Sequence, residues 1–126
     1  MIYIKNKYIP QKRLKAITIW PFVFYCSDCL LSNDYKNHKE IHGCQQVELL
    51  IIGVVVFASL LDIGLGWWSI IGFFLYYIWY CVEWFIRLMM GQHDYRMISF
   101  EQEAYNNEDD EDYLTIRQPF AWLGYI

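Results

Sequence analysis

Two stretches decide how this chain folds: LLIIGVVVFASLL at Leu49–Leu61 and WWSIIGFFLYYIWYCV at Trp67–Val82. Neither carries a charge. Each falls short of the roughly 20 apolar residues that cross a bilayer cleanly. Extended through Gly66 and through Met90, each becomes long enough and takes in charge, Asp62 in the first and Glu83 and Arg87 in the second. The Ile63-Gly64-Leu65-Gly66 stretch between them reads as a tight turn. The pattern predicts two helices folded back on each other as a membrane-embedded hairpin. Trp67 and Trp68, beside the turn, suit a membrane interface. The competing reading is a buried helical hairpin in a soluble protein, but a chain of 126 residues has little else with which to cover both faces.

Composition points the same way. Apolar residues make up 56% of the chain and aromatic residues 20%, against 19% charged. That excludes a disordered tail, which needs low hydrophobicity. A net charge of -4 argues against a nucleic-acid binder. Lys5, Lys7, Lys12, Arg13, Lys15, Lys36 and Lys39 precede the first apolar run. Arg87, Arg96 and Arg117 lie at the far end of the second or beyond it, and the turn has no cation. The positive-inside rule then places both termini in the cytoplasm. The lipid bilayer is the expected partner, with room for a membrane-protein partner. Glu83 and Arg87, four apart in the second apolar stretch, have the spacing of an intrahelical ion pair.

Outside the apolar middle, residues 1–32 form an N-terminal arm. Branched and aromatic residues punctuated by Pro10 and Pro21 suggest short strands, paired as a surface hairpin. Pro21 interrupts the Ala16–Tyr25 stretch and no small-residue cleavage site follows, which disfavours a signal peptide. Residues 33–61 hold a histidine-bearing helix and the first apolar run, and 67–90 the second helix. Residues 95–126 form a cytoplasmic tail read as an amphipathic helix, with the acidic run NNEDDED at 106–112 as a solvated linker. The closing Phe120–Tyr125 is apolar enough to dock on the core or the membrane surface. The fold class is therefore mainly α: a membrane-embedded two-helix hairpin, a short β-like arm and a C-terminal amphipathic helix.

The chemistry concentrates at His38 and His42. On a helix these lie about 40° apart on one face, a spacing that lets both rings reach one zinc ion. Gln45, Gln46 and Glu48 follow as polar groups where the helix turns apolar. The hairpin returns Ser99–Tyr105 (SFEQEAY) to the side of the histidines. A carboxylate from there would complete a His₂Glu set and leave the fourth tetrahedral position open, as a catalytic zinc requires.

At these residues the chain resembles a family. His38–Leu50 (HKEIHGCQQVELL) is similar to the H-E-x-I-H-x-x-Q-x-x-E-L segment of small, uncharacterised Bacteroidetes-type membrane proteins. Tyr76–Trp84 resembles their F-Y-x-W-Y-x-x-E-x helix, and Tyr95–Tyr105 their A-Y-R-x-I-S-F-E-x-E-A-Y block. Tyr113-Leu114, Arg117 and Ala121-Trp122 resemble their closing D-Y-L-x-x-R…A-W-x-x-Y pattern. Those proteins in turn resemble gluzincin metallopeptidases. The resemblance implies zinc held by His38, His42 and Glu101, with Glu103, Tyr105 and Gln45 supporting the ligands. Tyr105 stands where gluzincins carry an aspartate.

One departure bears on activity. The general base of H-E-x-x-H sits beside the first histidine, and here that residue is Lys39. The neighbouring Glu40 does not replace it, because it lies about 200° around the helix from His38. The expectation is a degenerate gluzincin-like zinc site, weak or inactive as a peptidase. The alternatives are an active membrane metallohydrolase with another base and a non-metal structural subunit of a membrane complex. Cys26 and Cys29 offer a rival use of the histidines, since C-x2-C-x8-H-x3-H approaches a structural zinc site. His93 could substitute as a ligand, though a surface position is the simpler reading. Cys44 and Cys81 read as buried thiols.

Overall fold

The computed structural model describes residues 1–6, 15–27 and 30–126. Lys7, Lys12, Arg13, the Tyr8-Ile9-Pro10 segment and Cys29 lie outside the described residues. The protein is mainly helical, with a small three-stranded sheet at its start.

The sheet comprises β1 (Ile2–Asn6), β2 (Ala16–Ile19) and β3 (Phe22–Cys26) in the order β1-β3-β2. β2 and β3 form an antiparallel hairpin, as the branched residues and Pro21 suggest. β1 pairs parallel to β3, with Ile2 opposite Phe22 and Asn6 opposite Cys26. Hydropathy does not reveal that pairing, since it is a non-local choice of edge. Val23 and Ala16 are the sheet's buried apolar anchors. Gln46 ties the sheet to the long helix. Its amide accepts from the Trp20 N–H at 2.8 Å and donates to the Thr18 carbonyl at 2.9 Å.

α1 (Asn33–Asp62) is one uninterrupted helix of 30 residues. It opens on an N-cap, the Ser32 hydroxyl accepting from the Tyr35 N–H. Its first half buries His38, Ile41, His42, Gln45 and Gln46, and its second half is almost wholly apolar. The chain turns at 63–66, where Gly64 and Gly66 take positive φ (81° and 50°). The second apolar segment was expected to be α-helical throughout 67–90. It instead begins as a 3-10 helix over Gly66–Phe74 and continues as α2 (Leu75–Met89). The Ser69 hydroxyl, buried, donates to the Gly66 carbonyl three residues back, reinforcing the tighter winding. Gly53 and Gly72 meet backbone to backbone: a methyl group on either would collide with the other's carbonyl oxygen. Glycine at both positions lets the two segments approach this closely.

Both segments are long and apolar enough to cross a membrane. Only 22% and 17% of their apolar windows are buried inside the protein. Ile51, Val55, Ile63, Trp67 and Trp68 are all more than half exposed. Cys44 is half-buried and Cys81 exposed, so the expectation of two buried thiols fails. α2 places residue 81 on an outward face that no other described residue buries.

The C-terminal segment is three short pieces rather than one amphipathic helix: α3 (Ser99–Asn107), α4 (Tyr113–Ile116) and a 3-10 turn at Ala121–Tyr125. The break at 108–112 turns the chain so that Trp122 enters the core with Leu49, Tyr76, Ile98 and Phe100. Phe100 stacks on Tyr76 (4.8 Å between ring centres) and meets Trp122 edge-on (4.7 Å). Glu48 holds this tail by accepting from the Phe120 N–H (3.0 Å), the Trp122 indole N–H (3.2 Å) and Arg117.

Candidate metal centre

His38 and His42 lie one above the other on the buried face of α1. Glu101 reaches them from the first turn of α3, and Glu83 of α2 sets that turn. Its carboxylate accepts from the Ser99 N–H (2.8 Å) and the Ser99 hydroxyl (2.6 Å), capping the open end of α3. Arg87 pairs with the same carboxylate at 3.1 Å, as the spacing predicted. The acid that looked out of place in an apolar helix thus fixes the helix that carries Glu101.

The two imidazole Nε2 atoms are 3.1 Å apart. Glu101 lies 3.6 Å from the Nε2 of His38 through one oxygen and 3.5 Å from that of His42 through the other. A tetrahedral zinc with bonds of 2.0–2.1 Å needs ligand-to-ligand edges of about 3.3 Å. The three separations lie close to that edge, and the three residues could hold a metal ion.

The far side of each ring determines which nitrogen carries a hydrogen. The Gln45 amide nitrogen donates to the Phe100 carbonyl and to Glu103, both at 3.0 Å. Both partners only accept, so the Gln45 oxygen must be the atom 2.8 Å from His42 Nδ1. His42 Nδ1 is then the donor. His38 Nδ1 faces the Glu108 carboxylate at 2.7 Å and is a donor too. In their neutral forms both rings direct the Nε2 lone pair inward, toward each other and toward a carboxylate. Two lone pairs at this separation repel unless a proton or a cation lies between them. Metal-ligating histidines are commonly oriented in this way, the other ring nitrogen donating to a carboxylate or an amide oxygen.

Burial works against the charge of Glu101, but hydrogen bonds and attraction from His38 and His42 outweigh it and hold its pKa below the usual carboxylate range. The Tyr80 hydroxyl donates to Glu101 at 3.1 Å. Lys39 lines the cavity beside the ligands, its ammonium 5.1 Å from the centre of the Tyr35 ring. Glu40 points to the other side of α1 and accepts from the Tyr3 hydroxyl at 3.1 Å. Lys39 thus flanks the histidine face and Glu40 lies away from it, as helical geometry requires.

The supporting residues divide. Gln45 holds His42 directly. Glu103, fully buried, acts one step further out, accepting from Gln45, Arg117 and Tyr113. Tyr105 packs edge-on against His38 (4.6 Å), while its hydroxyl pairs with that of Tyr95 at 2.8 Å. Tyr105 thus meets His38 through its ring, and the carboxylate against His38 Nδ1 comes from Glu108. Glu108 is therefore half-buried against His38 and not part of the solvated linker that the acidic run suggests. Asn37 pins the linker by donating to the carbonyls of Asn107, Glu108 and Asp110. In sequence nothing marks Glu108 out from the acids around it. Tyr80 was likewise hidden in an aromatic run. His93 is exposed and outside the cluster. Cys26 sits in β3, and among the described residues the group that could hold a metal comprises only His38, His42 and Glu101.

No protein-family model matches the chain, and neither does any curated protein or solved structure.

Proposed function

We propose that this is an integral membrane protein carrying a zinc site of His38, His42 and Glu101, gluzincin-like in its ligands but degenerate as a peptidase. The observation that carries the reading is the pair of converging Nε2 atoms, 3.1 Å apart, with Nδ1 anchored by Glu108 and Gln45. Two imidazoles and one carboxylate are a set that suits zinc. Zinc bound there would act as a Lewis acid and lower the pKa of a coordinated water. The protein's own groups would orient the ligands and screen the site, but a base is missing. Among the described residues, Glu108 is engaged with His38, Glu103 with Arg117, and Glu40 faces away. Lys39 occupies the position of the gluzincin glutamate and cannot take a proton from water while charged.

The membrane reading rests on the apolar surface of α1 and the Gly66–Met89 segment. A core helix of a soluble protein would be mostly covered, whereas these windows are about four-fifths uncovered. α1 rises about 1.5 Å per residue, which puts His42 roughly 30 Å from the turn, one hydrocarbon thickness. The site then lies at the cytoplasmic boundary of a bacterial inner membrane, with the turn at the opposite face. The Lys/Arg excess on the site side supports that orientation.

Metal analysis of detergent-purified protein tests the reading. Stoichiometric zinc is expected, lost in Glu101→Gln and retained when Cys26 and Cys29 are replaced by serine. Zinc absent from the parent, or lost with the cysteines, overturns it. Peptide hydrolysis by zinc-loaded parent and Lys39→Glu proteins tests the missing base. Equal, substantial and chelator-sensitive activity in both would refute that argument.

A further inference from the structure

A cavity of about 570 Å³ opens directly onto His38 and Glu101. Its wall carries three cations, Lys15, Lys39 and Arg96, interleaved with tyrosines that include Tyr35, Tyr80 and Tyr105. Among the described residues no carboxylate forms an ion pair with any of the three side chains. Lys39 and Arg96 instead lie over aromatic faces, each 5.1 Å from a ring centre, Tyr35 and Tyr105 respectively. Ring faces steady a cation without cancelling its charge.

The charge balance then calls for a ligand. With a divalent metal in place, Glu101 and Glu108 neutralise the ion. Asp94, whose carboxylate accepts from the Arg96 backbone N–H, is near enough to attract the Arg96 guanidinium without pairing with it. Lys15 and Lys39 remain, two positive charges in a concave site next to an open coordination position. A peptide carbonyl is neutral and does not answer them. A doubly charged, oxygen-rich group does, placing one oxygen on the metal and others on the ammonium groups. The cavity exceeds the volume of a bare phosphate, and its tyrosines can pack against an organic body.

We infer that this cavity binds a phosphoryl group, of a phosphomonoester or a lipid headgroup, with one oxygen on the metal and others on Lys39 and Lys15. The inference rests on the metal reading and gives Lys39 a purpose. The lysine that removes the peptidase base supplies an anion-binding charge instead.

The test uses the full chain in detergent, loaded with cobalt(II), whose visible spectrum reports exchange of a ligand on the metal. Inorganic phosphate is expected to change the spectrum saturably, and acetate much more weakly. Lys39→Gln should weaken phosphate by about tenfold, the loss of one charge-assisted contact. Cobalt affinity should stay level or rise, because an ammonium beside the metal has been removed. A purely structural lysine would not give these opposite changes. Bilayer discs containing phosphatidic acid, compared with phosphatidylcholine alone, identify the source. A response to phosphatidic acid that exceeds the response to phosphate supports the headgroup, and the reverse supports the soluble ester. Cobalt bound through Glu101 with a spectrum indifferent to both phosphates overturns the inference and leaves the metal site standing. Equal responses to acetate and phosphate, unaltered in Lys39→Gln, also overturn it. Failure to bind cobalt at all overturns the metal reading itself.

Discussion

Glu108→Gln tests the proposed site at a residue that would not touch the metal. Glu108 accepts from His38 Nδ1 at 2.7 Å, a short, charge-assisted bond that holds the ring and makes its other nitrogen more basic. Loss of a carboxylate that holds a ligating histidine typically costs ten- to a hundredfold in metal affinity, about 1.4–2.7 kcal/mol. The Glu108 side chain is 25% exposed, so water can take over part of its role. The expected loss therefore lies in the lower half of that range, about ten- to thirtyfold. Asp109→Asn is the matched control. It removes the same charge one residue on, from an exposed side chain, and should change affinity by about twofold or less. Competition of the two variants and the parent against a fluorescent zinc chelator, in one detergent at one pH, reads all three constants. Parent-like affinity in Glu108→Gln would show that the carboxylate on His38 does nothing for the metal, and an equal loss in Asp109→Asn would show that long-range charge rather than the His38 hydrogen bond matters.

Three further outcomes follow from the packing. Gly53→Leu forces a side chain into the Gly72 carbonyl and should cost about 2–3 kcal/mol of stability, read by denaturant titration in micelles; no loss would mean the two segments do not meet there. Arg117→Met strips the buried Glu103 of its cation and loosens Glu48, so it should cost about 3–5 kcal/mol and release the tail, seen as a more accessible Trp122 in fluorescence quenching. A cysteine at Ile63, in a chain whose own four cysteines are replaced, should react with an impermeant maleimide from the periplasmic face only; labelling from the cytoplasmic side would invert the topology.

Much of this protein is written in local pattern. Apolar runs separated by Ile-Gly-Leu-Gly suffice for two long helices and a turn, because the free energy of burying or lipid-exposing a helix depends on its composition. The i, i+4 spacing of His38 and His42 puts them on one face wherever a helix forms, and the same geometry sends Glu40 away from Lys39. The Glu83–Arg87 pair is equally local. What the chain does not display is which distant groups meet. Glu108 is one acid in NNEDDED until Asn37 pins that loop beside His38. Glu83 becomes the cap of α3 only when Ser99 is carried back to it. Gly53 and Gly72 are ordinary helix glycines until their backbones touch, and β1 could equally have paired antiparallel. Periodicity is a property of neighbours in sequence, whereas partner choice depends on how the whole chain closes. The sequence by itself therefore determined the helices and the facing histidines, and the tertiary structure decided how those histidines are held.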